Sequence, residues 1–192
     1  MRAWTIIVCF CLSFSALSLS TVADEYAEMR EMLEQCEVCH GKTAAPADDT
    51  YPILAGQELY YLYVQLKDFK SGHRTNEFMA PVVAELDKAQ LMALAKFYSE
   101  QAWPNIVFDG NATQKNKGEM AANAGQCVAC HLSSYMGNSR VPRLAGQYPR
   151  YLIKTMLDMK SKARNNAPSK SSLMSTFSEV EIGALAEYLG SM

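Results

Sequence analysis

The chain has 192 residues, 49% of them hydrophobic and 20% charged, with a formal net charge of −2 at pH 7. That composition excludes a disordered polyelectrolyte and allows one or two small globular domains. No run of like charges marks a nucleic-acid surface, so nucleic acid is not an expected partner.

Met1 and Arg2 precede an uncharged stretch, residues 3–23, whose apolar heart is residues 6–17. A basic start, a short apolar core and small residues up to Ala23 predict a secretory signal peptide over residues 1–23. An uncleaved anchor is the competing reading, since a spanning helix needs about 20 apolar residues; the serines of the second half argue against it. Export implies the periplasm, and peripheral membrane association stays open. Two of the six cysteines, Cys9 and Cys11, fall in this leader.

A helix over residues 25–35 is expected to lead into Cys36-Glu37-Val38-Cys39-His40. Next comes Pro52-Ile53-Leu54-Ala55-Gly56-Gln57, then a helix with Leu59, Leu62, Leu66 and Phe69 on one face. Gly72 is placed to close that helix, and Met79 follows in a loop beside Pro81. Leu91, Leu94 and Tyr98 mark the last helix of this half. Proline at Trp103-Pro104 stops it and marks a boundary, giving one domain over residues 24–104 and a second over 105–192.

The second half repeats the first. Cys127-Val128-Ala129-Cys130-His131 stands 91 residues after the first motif, and Pro142-Arg143-Leu144-Ala145-Gly146-Gln147 stands 90 after its counterpart. Tyr61-Leu62 returns as Tyr151-Leu152, and Arg74 as Arg164. Leu152, Met156 and Met159 carry the matching helix face; Ile182, Leu185 and Leu189 carry the last, with Ser178 placed as its cap. Segments in one order at a near-constant offset mean a duplicated domain. No segment alternates like a strand, so the fold class is all-α. Residues 24–101 hold 14 acidic and 7 basic side chains, net −7; residues 105–192 hold 6 and 10, net +4. Such a dipole could orient the molecule towards a redox partner, and two solvated surfaces of different history explain it equally well.

Cys-x-x-Cys-His is the attachment signature of c-type haem. Two thiols three positions apart form thioethers with one porphyrin, and the adjacent histidine supplies a nitrogen to iron. All four cysteines outside the leader belong to two such motifs, so two covalently attached haem c groups are expected. Four cysteines on one zinc, or two thioredoxin-like pairs, are the alternatives. Neither explains a histidine after each pair.

His40 and His131 are thus the expected iron ligands on one side. Met79 is the expected second ligand in the first half; its rival Met92 lies on a helix face. Met174 is the matching expectation in the second, but it is out of step. Met79 precedes Leu86 by seven residues, and Met174 precedes Phe177 by three; Lys170 stands at the offset of Met79. Met174, Lys170 and an open position are the three readings. His73, at a helix end, reads as a surface or propionate-facing residue.

The doubled haem motif with the doubled Pro-x-Leu-Ala-Gly-Gln segment resembles the cytochrome c4 family of dihaem class I cytochromes c over nearly the whole chain past the leader. The resemblance implies two tandem class I cytochrome c domains related by a pseudo-twofold axis. It implies that the Pro52 and Pro142 carbonyls accept from the histidines, and that Arg74 and Arg164 lie near propionates. It also implies a respiratory electron carrier, working by outer-sphere transfer between an upstream cytochrome complex and a terminal oxidase. A dihaem enzyme or enzyme subunit with an open second haem is the rival.

Overall fold

The structure is a computed structural model that describes residues 26–106 and 108–192; the leader expected over residues 1–23 lies outside them. A 3-10 turn, Ala27–Met29, leads into α1 (Arg30–His40). There follow α2 (Leu59–Ser71), α3 (Met79–Val83) and α4 (Lys88–Ser99). The second half has α5 (Ala112–Ala124), α6 (Val128–His131), α7 (Pro149–Lys160), α8 (Pro168–Met174) and α9 (Glu179–Gly190). Among the described residues no strand forms; an isolated bridge joins Asn138 and Val141, and single backbone bonds tie loops to helices, as from Gly56 N–H to the Tyr98 carbonyl and from Gly146 N–H to that of Leu189. The all-α expectation holds. No helix among the described residues is long and apolar enough to cross a membrane.

The apolar stripes bury as their spacing requires. Leu62 and Phe69 of α2 meet Leu91, Leu94 and Tyr98 of α4; Leu152 and Met156 of α7 meet Ile182, Leu185 and Leu189 of α9. Each such side chain contributes about 1.5–3 kcal/mol when fully buried. Gly72 ends α2 with φ 75°, a left-handed cap that costs glycine nothing. Ser178 caps α9 in a full capping box with Glu181, and Asp87 does the same for α4 with Gln90.

The two halves enter their motifs differently. In the first, α1 runs without a break through Cys36 to His40. In the second, Gln126 takes φ 50° and separates α5 from the single turn α6. The long α5 packs instead on α9, so closely that a Cβ on Gly118 would lie 2.1 Å from the Ala184 carbonyl oxygen.

The halves are joined by an exchange of glutamines. The side chain of Gln147 accepts from Ile53 N–H (2.9 Å) and donates to the Ile53 carbonyl (3.0 Å). Gln57 does the same to Arg143, at 2.8 and 3.0 Å. Two equivalent residues that each bind the other half's backbone give the interface its pseudo-twofold form. Trp103 lies between the halves, against Gly56 and Gly146 and under the Arg143 guanidinium. Tyr148 donates to the Pro46 carbonyl at 2.6 Å, and Arg150 pairs with Asp49.

Candidate functional site

Each motif places its histidine at the end of a helix, where the chain turns back on itself. His40 and His131 are both buried. His40 Nδ1 lies 3.4 Å from the Pro52 carbonyl oxygen, and His131 Nδ1 lies 2.9 Å from that of Pro142. A carbonyl can only accept, so Nδ1 carries the proton and Nε2 keeps its lone pair. Burial lowers the proton affinity of both rings, against the opposing pull of the proline carbonyls. Both are therefore held neutral, the form that binds a metal.

Cys36 and Cys127 are half-buried, Cys39 and Cys130 are exposed, and none is in a disulfide. Burial raises the Cys36 and Cys127 thiols. Among the described residues no three of His, Cys, Asp and Glu gather as a metal cluster, so the four cysteines do not converge on one zinc.

The two methionines expected in loops are both helical. Met79 is the first residue of α3 and half-buried; Pro81 is tolerated there because first-turn N–H groups have no helical partner. Met174 is the last residue of α8 and is buried in the second half's core. They are not equivalent. Lys70 Nζ donates to the Ala84 and Leu86 carbonyls, and Lys160 Nζ to those of Ser175 and Phe177. The N–H of Leu86 returns to Val83, as that of Phe177 returns to Met174. Met174 thus occupies the slot of Val83, a core residue that is 1% exposed. Four residues earlier, one turn back on the same helix, Met79 corresponds to Lys170. The extra residue of the second half lies before α8, which starts at Pro168.

Arg74 and Arg164 converge between the halves. Arg74 Nη1 and Arg164 Nη2 both donate to Gln65 Oε1, at 2.9 Å each. Arg164 also reaches Tyr61 and Asn166, and Arg74 reaches Tyr151. Burial raises the Tyr151 phenol, but the Arg74 and Arg164 guanidiniums outweigh it and hold the group down to about 7. Arg164 Nη1 is buried with no protein partner. An unmet cationic donor beside a second arginine fits an anionic group such as a haem propionate, so the residues present fit the cofactor that the motifs require. Sequence reading missed Gln57, Gln147, Gln65, Tyr61 and Tyr151 as interface groups. The repeat itself was the available signal, since four of the five belong to repeated pairs.

A paired Cys-x-x-Cys-His in an all-helical chain, each with a carbonyl-anchored neutral histidine, defines a dihaem c-type cytochrome, an electron-transfer protein with two covalently bound haems. No family model matches the chain. It is 28% identical to cytochrome c4 of Pseudomonas aeruginosa over 195 residues, 96% of each chain. It is 30% identical to cytochrome c4 of Thiocapsa roseopersicina, over 80% of this chain and 85% of that one. It is 31% identical to a thiosulfate dehydrogenase electron acceptor of Stutzerimonas stutzeri, over 82% of this chain and 78% of that one. The solved cytochrome c4 of Acidithiobacillus ferrooxidans superposes with a TM-score of 0.74 at 29% identity, covering 83% of this chain and 99% of that one. The chain belongs to the cytochrome c4 family.

Proposed function

We propose that this cytochrome works in the periplasm, after removal of residues 1–23, as a respiratory electron carrier between an upstream cytochrome complex and a terminal oxidase. The observation that carries the reading is the pair of histidines, each kept neutral by burial and oriented by its own proline carbonyl. When bound, the haem irons supply one-electron exchange between ferrous and ferric states. The chain's part is to hold them. Cys36 and Cys39, and Cys127 and Cys130, would form the thioethers. His40 and Met79 would hold the iron of the first half, and His131 that of the second. The Pro52 and Pro142 carbonyls fix ring orientation and raise the basicity of the histidines. Arg74 and Arg164 answer the propionates.

Transfer to a partner needs an approachable edge. Val38 is 83% exposed and Phe78 63% exposed; they stand in sequence beside Cys39 and Met79. In the second half Val128, Leu132 and Met136 are exposed around His131. These are the apolar contacts for docking, and the acidic first half favours a basic partner there.

A second reading has its own support. The likeness to a thiosulfate dehydrogenase electron acceptor favours a dehydrogenase as the electron donor, in place of a cytochrome complex. One experiment tests the carrier reading. The protein is matured in a host that attaches haem c, haem is counted per chain, and the ferrous form is exposed to carbon monoxide. Two haems per chain and no rapid carbon monoxide binding support the carrier. Rapid binding at one haem moves the reading to an enzyme or enzyme subunit. Fractionation with N-terminal sequencing tests export.

A further inference from the structure

We propose that Lys170, and not Met174, is the second axial ligand of the iron held by His131, so that the two haems have unlike ligation. The inference rests on the reading that His131 holds iron.

The first argument is register. The lysine clamps on the chain after each short helix, Lys70 on Ala84 and Leu86 and Lys160 on Ser175 and Phe177, are the same contacts, with the lysines 90 residues apart and the gripped carbonyls 91. They fix which residues of α3 and α8 correspond. Lys170 stands where Met79 stands, and Met174 stands where Val83 does. Both Met79 and Lys170 are half-buried.

The second argument is what the lysine lacks. Lys170 is half-buried, and among the described residues its side chain makes no hydrogen bond or ion pair. A half-buried lysine with no acidic partner has the disposition of a ligand and not of a surface cation.

The third argument is what Met174 does instead. It is 7% exposed and packs in a core with Phe177, Met159 and Ile182. Turning it to iron would empty the slot that Val83 fills in the other half.

Ligation is a simple exchange. The Lys170 ammonium releases one proton to solvent, and its nitrogen lone pair forms the bond to iron. No electron is transferred in that step. An amine is a harder donor than a thioether and favours the ferric state, so the second haem has the lower potential of the two.

The test uses the full dihaem protein. Proton spectra of the reduced form separate axial side chains, because the porphyrin ring current shifts their protons strongly upfield. We expect one methionine methyl, assigned to Met79, and one set of lysine methylene signals. Lys170→Ala removes the lysine set and leaves the methionine methyl. Lys170→Met produces a second methionine methyl and raises the lower midpoint potential. Met174→Leu changes neither signature. Loss of a methionine methyl in Met174→Leu would overturn the proposal in favour of Met174. Absence of lysine signals with carbon monoxide binding in the unaltered protein would overturn it in favour of an open site. A haem count other than two per chain would instead sink the underlying reading of the motifs. Lys170→Met and Met174→Leu keep side-chain bulk, so both are expected to fold.

Discussion

Gln147 and Ile53 lie 94 positions apart and share two hydrogen bonds, with the glutamine amide closing on both backbone groups of the isoleucine at 2.9 and 3.0 Å. Ile53 follows Pro52, whose carbonyl faces His40. The second half therefore holds the strut that orients the first half's histidine, and Gln57 returns the favour through Arg143, next to Pro142. Electron exchange between two haems depends on their fixed relation, and these amides tie each histidine's support to the opposite half.

Gln147→Ala leaves a buried N–H and a buried carbonyl unpaired, and unmet groups of this kind cost roughly 2–4 kcal/mol together. Chemical denaturation of the haem-loaded protein would measure it. The side-specific readout is exchange of the histidine Nδ1 protons in the reduced state. Gln147→Ala is expected to speed exchange at His40 more than at His131, and Gln57→Ala to do the reverse.

Gly118 and Gly183 should respond in opposite directions to alanine. A Cβ on Gly118 would meet the Ala184 oxygen at 2.1 Å and Tyr188 Cβ at 2.6 Å. Backbone cannot move aside cheaply, so Gly118→Ala costs about 1–3 kcal/mol or more by forcing α5 off α9. A Cβ on Gly183 meets nothing within 4 Å. Gly183→Ala should stabilise α9 by about 0.8–1 kcal/mol, the propensity difference in a helix interior. Paired thermal melts decide both.

The cap of α9 gives a pH signature. The Ser178 hydroxyl and N–H both donate to Glu181 Oε2 at 2.7 Å and hold its carboxyl below the ordinary 4.5. A depressed carboxyl binds fewer protons folded than unfolded, so its contribution is present above the ordinary value and is lost as pH falls through the folded one. Unfolding midpoints measured from pH 6 to pH 3 should fall less steeply in Glu181→Gln than in the unaltered protein, and the two should differ least at the acid end.

Arg164→Leu removes a buried cation that reaches Tyr61 and Gln65 across the interface. In its proposed role against a haem propionate, the positive charge disfavours the ferric state, so the midpoint potential should fall on its removal. The Tyr61 hydroxyl and the Gln65 amide lose a donor, and stability should fall by about 2–4 kcal/mol. Spectroelectrochemistry and denaturation read the two effects separately.

Much of this protein was legible in one dimension. Covalent chemistry is local, so Cys36 to His40 and Cys127 to His131 announce haem by spacing alone. Helix periodicity is local too, which is why the faces carried by Leu62, Leu94, Leu152 and Leu185 read correctly, as did the caps at Gly72 and Ser178. The offset of 90 to 91 residues exposed the duplication. What the chain order could not decide was which groups meet across the halves. Gln57 and Gln147 look like ordinary polar residues after a tight turn, and only docking turns them towards Arg143 and Ile53. Met79 and Met174 looked like loop residues because their helices are too short for a period to show. Their inequivalence rests on where Lys70 and Lys160 grip the backbone. Those contacts join residues 14 to 17 positions apart, and tertiary packing sets them while sequence pattern does not.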